Sequence, residues 1–369
     1  MKILIAADIF PPQSGGPATY VVALANELAK KGDTVKIVSL NPESDAGAVS
    51  GGVVAVKNKN KLLRYLEYLY LLWKNAKDAE IIYAMGPVNA GFPALIVAKL
   101  AGKKLATKIV GDYAWEQGVQ RFGVKDSIDD FQVKNNYSFW VKLLKWIEKK
   151  VAQNSSRVIV PSLYLKGIVV GWGLSVHCVS VVYNEVEYVP VNPIEHKDEK
   201  WVVSVGRLIS WKGMDTLIEI MPDLLKKIHN LKLKIVGDGP VIEDLRKKVK
   251  DLNLENSVEL TGNLSKEKAS VYMASADVFV LNSGYEGYSH VLIEAHNQGA
   301  PVLASRAGGN AEVVAGDALF EYNNKEEIKE KILANINTPK REPMKHGFLR
   351  HNMIDETRQI LQSLCKLDK

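Results

Sequence analysis

Five short stretches in the second half of the chain carry residue types suited to a charged, hydroxyl-rich ligand. The first is Val205-Gly206-Arg207-Leu208 followed by Trp211-Lys212-Gly213. It comes after an apolar run and before a helical pattern, so its loop can aim two cations and a helix N-terminus at one anion. A diphosphate leaving group needs that treatment, because negative charge builds on it as its bond breaks. Two basic residues five apart are, taken alone, usually solvated. The second stretch is Glu286-Gly287-Tyr288 with Glu294 eight residues after the first glutamate. Gly287 suggests a tight turn before a helix, which leaves Glu286 in the loop and Glu294 on the helix. Carboxylates accept well from vicinal hydroxyls, so both suit a sugar or a ribose; surface glutamates are the plain alternative. Gly237-Asp238-Gly239-Pro240, Thr261-Gly262 and Ala307-Gly308-Gly309 complete the set, each after a predicted strand. Glycine lets backbone amides approach phosphate or base closely, although each loop alone is more often just a turn.

The elements that must position these residues alternate in kind. Lys2–Ala7 and Thr34–Leu40 read as buried strands, and Ala18–Lys31 between them has helical spacing with Gly32 as a C-cap. Such a βαβ unit implies parallel pairing and a right-handed crossover. Glu80–Tyr83, Lys104–Val110, Arg157–Val160 and Val179–Tyr183 extend the series. Residues 184–200, with two prolines and many charges, read as a linker. The rhythm restarts with Trp201–Val205, Lys232–Val236, Ser257–Leu260, Val278–Leu281 and Pro301–Ala304, and His351–Leu367 is a final amphipathic stretch. Two doubly wound α/β domains are expected, with ligands at the carboxyl ends of the strands and in a cleft between the domains.

Composition narrows the class. With 369 residues, 47% hydrophobic and 24% charged, the chain can bury two sizeable cores. Cys178 and Cys365 form no CxxC pair, and no HExxH occurs, which argues against a disulfide framework or zinc site and fits a reducing compartment. No stretch has the length of a membrane span; the most hydrophobic, Leu62–Trp73, contains Arg64 and Glu67. Asp8 interrupts the apolar N-terminus, which favours a buried first strand over a signal peptide. Residues 1–190 hold 23 Lys and Arg against 16 Asp and Glu, and residues 191–369 hold 25 against 26. The basic excess of the first half suits a membrane surface or an anionic acceptor, or is merely a lysine-rich solvated surface. No arginine-rich stripe or RNA-binding motif points to nucleic acid.

GRL…KG, GDGP, TG, EGY…E and GGNAE occur in that order. Together they resemble the retaining GT-B glycosyltransferases of family four, the large glycosyltransferase group 1. The resemblance spans nearly the whole chain and is strongest over 201–315. It implies an α/β, GT-B fold of two Rossmann-like doubly wound parallel-sheet domains facing a central cleft. Residues 1–186 would form the acceptor-side domain and 190–344 the nucleotide-sugar domain, with a C-terminal helix at about 345–369 packing back on the first. It further implies that Arg207 and Lys212 bind the donor diphosphate and that Glu294 holds the ribose hydroxyls. Glu286 would contact the transferred sugar, helped by amides around Gly287, Tyr288 and Ser289, while Gly206, Gly237, Gly239, Gly262 and Leu264 line the phosphate and base pocket. No metal or other cofactor is implied, because cations and helix dipoles replace it. Leaving and attack would share one face of the sugar, with retention, and the leaving phosphate would help deprotonate the acceptor.

The first half matches less tightly. Pro12-Gln13-Ser14-Gly15-Gly16 resembles the family's glycine loop near donor phosphates and acceptor, and Asn184 its asparagine before the linker. The loop is not GxGxxG and no acidic residue follows the second strand, which speaks against a dinucleotide-binding dehydrogenase. Where many relatives place a histidine, this chain has Lys108-Ile109-Val110-Gly111-Asp112. Asp112 either supplies the polar group at the reaction centre, with Tyr113, Trp115 and Glu116 facing the acceptor, or caps a helix. Residues 135–151 mix aromatics and lysines on a helical pattern, which suits docking at a membrane or packing on the chain's own domain. The expected activity is a cytoplasmic hexosyltransferase, possible also at the inner membrane face, moving sugar from a nucleotide diphosphate to a glycan, polysaccharide or lipid-linked acceptor. A non-catalytic nucleotide-sugar-binding subunit, a GT-B epimerase and a phosphorylase are the rivals. Donor base, acceptor and oligomeric state stay open.

Overall fold

The computed structural model describes residues 1–12, 16–44, 47, 49, 52–344 and 352–366. The chain forms two compact units: Met1–Tyr183 with Asn352–Lys369, and Asn184–His351.

Unit 1 is built on seven strands: β1 Lys2–Ala7, β2 Thr34–Ser39, β3 Val53–Ala55, β4 Ile81–Met85, β5 Lys104–Lys108, β6 Arg157–Val160 and β7 Val179–Val181. They run parallel in the order β3-β2-β1-β4-β5-β6-β7. Parallel strands covered on both faces are apolar throughout, and β1 shows why. Ile3, Ile5 and Ala7 join one core, while Leu4 and Ala6 join the other. The first core lies under α1 Gly16–Lys30. The second lies under three helices, α2 Lys61–Ala76, α3 Gly91–Ala101 and, after α4 Tyr113–Arg121 and α5 Ile128–Val133, α6 Phe139–Gln153. Side-chain caps start several of them: Asn60 accepts from Leu62 N and Leu63 N, and Ser162 from Leu165 N of α7 Leu163–Gly171. Helix α6 begins at Phe139, four residues later than the aromatic-rich pattern from Asn135 suggests; Tyr137 instead packs on Phe131 at 4.8 Å.

Unit 2 repeats the plan with β8 Lys200–Val205, β9 Leu231–Val236, β10 Val258–Leu260, β11 Val278–Leu281, β12 Val302–Ser305 and β13 Leu319–Phe320, in the order β10-β9-β8-β11-β12-β13. All are parallel. Its helices are α8 Met214–Glu219, α9 Met221–Leu225, α10 Ile242–Asp251, α11 Lys266–Ser275, α12 His290–Asn297 and α13 Lys325–Asn335. The segment 184–199 has no regular structure but is fastened to unit 2. Gln298 Nε2 donates to Val189 O at 2.7 Å, Ile194 N to Ser275 Oγ at 2.8 Å, and His196 stacks on Trp201 at 4.3 Å.

The last helix, α14 Met353–Lys366, belongs to unit 1. Leu361 and Leu364 enter the α1 core, and the Tyr20 hydroxyl lies 3.2 Å from Thr357 Oγ1. Arg358 Nε donates to Asp33 Oδ2 at 2.6 Å, and Asp33 also takes the amino terminus at 2.8 Å. Burial alone would raise the Asp33 pKa, but these two cations outweigh it and hold it low. Two strands escape the sequence pattern, β3 and β13. At three and two residues, they are too short to show a period.

Candidate active site

In a doubly wound sheet a crevice opens where the strand order reverses, at the carboxyl ends. In unit 2 that point lies between β8 and β11, because the chain leaves β8 toward β9 on one side and β11 toward β12 on the other. The loops after these two strands carry Arg207, Lys212 and Glu286. The Lys212 ammonium pairs with Glu286 Oε1 across the switch point, with only 14% and 13% of the two side chains exposed. So enclosed a pair is weakly screened by water. Arg207, on the same loop, is exposed.

Neighbouring loops hold this pair in place. Asn282, directly after β11, donates from Nδ2 to Gly213 O at 2.9 Å and to Asn323 Oδ1 at 2.7 Å, and accepts from Asn323 N at 3.0 Å. Gly284 N donates to Trp211 O at 2.6 Å, which ties the Lys212 loop to the Glu286 loop. Ser305 Oγ accepts from Ser283 N at 3.0 Å and donates to Ser283 O at 2.5 Å; Asn310 Nδ2 donates to Ser305 O at 3.0 Å. The GGN turn then grips Glu286 itself, since Gly309 N donates to Glu286 O at 2.9 Å. Gly308 has φ +60°, and a Cβ there would stand 2.0 Å from Glu286 O. The turn therefore fixes the backbone of Glu286.

The remaining glycine loops interlock. A Cβ on Gly237, at φ +138°, would stand 1.9 Å from Gly206 O, and Gly237 N donates to Gly262 O at 3.0 Å. Leu208 N donates to Asp238 O at 2.9 Å, and Gly239 packs on Leu208 O. Gly206, Gly237, Gly239 and Gly262 are thus brought together at the carboxyl ends of β8, β9 and β10, with half-buried Leu264 just beyond. Gly287 and buried Tyr288 lead into α12, whose cap Ser289 accepts from Leu292 N at 3.4 Å. Glu294 lies half-buried inside α12; burial pushes its carboxyl pKa up, and Lys266 opposes the shift. Among the described residues, no group of three or more His, Cys, Asp or Glu is placed to hold a metal ion.

Unit 1 has its own switch point, between β1 and β4, and a cluster sits there of which the sequence reading names only Tyr113 as a site residue. Asn89 Nδ2 donates to Asp8 Oδ2 at 3.2 Å and to the Tyr113 hydroxyl at 3.1 Å, while its carbonyl oxygen accepts from the Tyr65 hydroxyl at 3.0 Å. Burial raises the Asp8 pKa, against the hydrogen bond from Asn89. Its signal in the sequence is Asp8, a polar residue at the carboxyl end of a buried strand.

Asp112 is placed differently. It is fully buried; Oδ1 accepts from Trp115 N at 2.8 Å as the cap of α4, and Oδ2 accepts from Gln132 Nε2 at 2.7 Å. Glu148, also buried, shares a hydrogen bond with it, and burial raises both carboxyl pKa values, that of Glu148 well above the ordinary range. Of the two readings of Asp112, the geometry carries the cap: no part of its carboxylate faces solvent. Trp115 is buried with it, its Nε1 donating to Asp126 O at 3.0 Å, whereas Tyr113 turns to Asn89. Lys108, at the end of β5, is buried with Nζ 4.0 Å above the Tyr20 ring, and burial pushes its pKa down to about 7. Gly16 begins α1; Gly15 lies outside the described residues.

Residues 14–187 match the family described as Glycosyltransferase Family 4, and residues 190–359 match Glycosyl transferases group 1. A 2-deoxystreptamine N-acetyl-D-glucosaminyltransferase of Niallia circulans is 34% identical over 115 residues, 31% of this chain and 30% of that protein, so the match spans less than a third of it. An uncharacterized glycosyltransferase of Methanocaldococcus jannaschii is 27% identical over 350 residues, 91% of this chain and 89% of that one. Among solved structures, HepE of Anabaena in complex with UDP superposes with a TM-score of 0.74 at 19% identity, covering 99% of this chain and 100% of that one.

Proposed function

This chain belongs to the group 1 glycosyltransferases, with a GT-B fold, and on that premise we propose that it moves a hexose from a nucleotide-diphosphate sugar to an acceptor hydroxyl with retention of configuration. The observation that carries the donor half is the Lys212–Glu286 pair at the switch point of unit 2, with Arg207 on the same loop. A diphosphate entering there meets two cations and the N-terminus of α12. Lys212 and Arg207 stabilise the charge that grows on the leaving phosphate. Glu286 takes hydroxyls of the transferred sugar, and Gly287, Tyr288 and Ser289 offer amides beside it. Glu294, part-buried, accepts from the ribose hydroxyls, and the loops of Gly237, Gly239, Gly262 and Leu264 flank the base. These cations supply the electrostatic role that a metal plays elsewhere.

On the acceptor side, Asp8 with Asn89 and Tyr113 replaces Asp112 as the polar group for the attacking hydroxyl. The leaving phosphate takes part in its deprotonation. The basic first half suits a glycan or lipid-linked acceptor and peripheral contact with the inner membrane face.

HepE was solved with UDP, so UDP-sugars come first in the test, followed by GDP- and ADP-sugars. The assay is thermal stabilisation by each nucleotide sugar, then donor hydrolysis and transfer to acceptor extract. One selectively stabilising nucleotide sugar, with anomeric retention in the product, is expected. Stabilisation without hydrolysis or transfer would make the chain a binding subunit. Phosphate-dependent glycoside cleavage would make it a phosphorylase, and donor isomerisation without acceptor an epimerase.

A further inference from the structure

The outer face of α2 is apolar although its inner face already fills the core. Tyr68, Leu72 and Ala76 are buried against the sheet. Leu62, Leu63, Leu66, Tyr70 and Trp73 recur at three- and four-residue spacing on the opposite side, 71%, 49%, 56%, 56% and 43% exposed. At 3.6 residues per turn they cover roughly a 100° arc along a helix about 24 Å long. Helix α6 lies in the same layer: its Val151 shares the core of α2 and α3, and Trp146 meets Phe92 of α3 edge-on at 6.4 Å. Its outer side exposes Phe139, Trp140 and Trp146. A monomer in water gains nothing from eight large exposed apolar side chains on two helices that pack against the same α3.

The surrounding charge says what covers them. Residues 57–77 carry six Lys and Arg against Glu67 alone. That one carboxylate is half-buried and engaged by the preceding loop, accepting from Lys57 N at 3.0 Å and Asn58 N at 2.9 Å. Residues 139–153 carry four lysines; Lys145 is buried, donating to Phe131 O and Lys134 O, which leaves Lys142, Lys149 and Lys150 outside, and the one carboxylate, Glu148, is buried too. Aromatic and leucine side chains flanked by lysines, with hardly an exposed carboxylate among them, match an anionic bilayer surface. Trp and Tyr favour the headgroup level, where one end of the ring is apolar and the other wet. Among the described residues no helix is long and apolar enough to cross a membrane, so the fit is to the interface.

We propose that the outer faces of α2 and α6 form a docking surface for anionic lipid bilayers. This rests on the peripheral-contact part of the proposed function and locates it, and it is independent of the donor chemistry. The test is sedimentation of the full chain with vesicles of phosphatidylcholine alone and with about a third phosphatidylglycerol, with tryptophan emission as a second readout. Binding to the anionic vesicles only, weakened by salt and accompanied by a blue shift, is expected. Burying one large apolar side chain is worth roughly tenfold or more in partition, so Leu66→Glu/Trp73→Glu should cut binding at least about a hundredfold. Both positions are solvent-exposed, so the variant should keep its melting temperature and its stabilisation by nucleotide sugar. Absence of vesicle binding by the wild type, or undiminished binding by the variant, overturns the proposal. So does a concentration-dependent dimer that the variant dissolves, since a second copy would then own the face. Vesicle binding without stabilisation by any nucleotide sugar would leave this surface standing and remove the donor reading.

Discussion

Lys212→Ala separates the two things the Lys212 ammonium does. In the free protein it neutralises Glu286, whose side chain is only 13% exposed. Removing it leaves a carboxylate unpaired in a largely enclosed site. A fully buried pair broken this way costs about 3–5 kcal/mol, and the residual exposure here brings that down to about 1–3 kcal/mol. On the proposed reading it also stabilises the leaving diphosphate, a term of about 2.7–4 kcal/mol, or 10²- to 10³-fold in turnover. The double variant Lys212→Ala/Glu286→Gln tells these apart, because it removes the orphaned charge without restoring the cation. Urea unfolding should show most of the lost stability returning in the double variant. Transfer, or donor hydrolysis, should stay depressed by at least about a hundredfold in both. A Lys212→Ala enzyme that turns over at the wild-type rate refutes the diphosphate role. So does recovery of turnover in the double variant, since Lys212 would then act only by neutralising Glu286.

Three other perturbations follow from the geometry. Gly308→Ala places a Cβ against Glu286 O at φ +60°; the left-handed conformation alone costs about 1–2 kcal/mol, so both melting temperature and donor affinity should drop, and an unchanged pair of values would show that the turn does not set Glu286. Asp8→Asn should lower transfer by about 10²-fold or more while leaving nucleotide-sugar stabilisation intact; a loss of donor binding of the same size would deny Asp8 its acceptor role. Glu148 has a folded-state pKa raised well above 4.5 by burial, by the charge of Asp112 and by their shared hydrogen bond, with Lys149 opposing. The folded protein therefore holds a proton that the unfolded chain releases, and the stability tied to it is complete below the unfolded pKa and lost as pH rises through the folded one. Glu148→Gln should flatten the fall in melting temperature as pH rises above the ordinary carboxyl range; an unaltered slope would refute the buried-carboxyl account.

The parts of the fold that were legible are those whose signal is local. Val278–Leu281 and Arg157–Val160 were readable to the residue because buried parallel strands are short unbroken apolar runs. The ordered motifs located the loops at the strand ends for the same reason. What each residue touches is not local. Nothing near Gly308 in sequence says that it abuts Glu286, nor that Gly237 abuts Gly206. Asp112 reads as either a cap or an acid until Gln132 and Glu148 enclose it. Leu62–Trp73 stands out in the sequence only as the most hydrophobic stretch, and it takes the sheet beneath Tyr68 and Leu72 to reveal that half of its apolar side chains point away.

The two units place polar residues at equivalent topological points and equip them differently. At the β8/β11 reversal stand an ion pair and a second cation, Lys212–Glu286 and Arg207. At the β1/β4 reversal stand a carboxyl, an amide and two phenols, Asp8, Asn89, Tyr65 and Tyr113. Sheet topology dictates where a ligand can bind; side-chain chemistry decides which one. Cations suit a leaving group whose negative charge grows. A carboxyl whose pKa is raised by burial holds a hydroxyl proton better than a solvated carboxylate does, and the amide and phenols orient the oxygen that carries it. On the proposed reaction, charge is therefore handled by unit 2 and acceptor hydroxyl orientation by unit 1. It follows that substitutions at the unit 2 reversal should move donor binding as well as turnover, and those at the unit 1 reversal should move transfer alone.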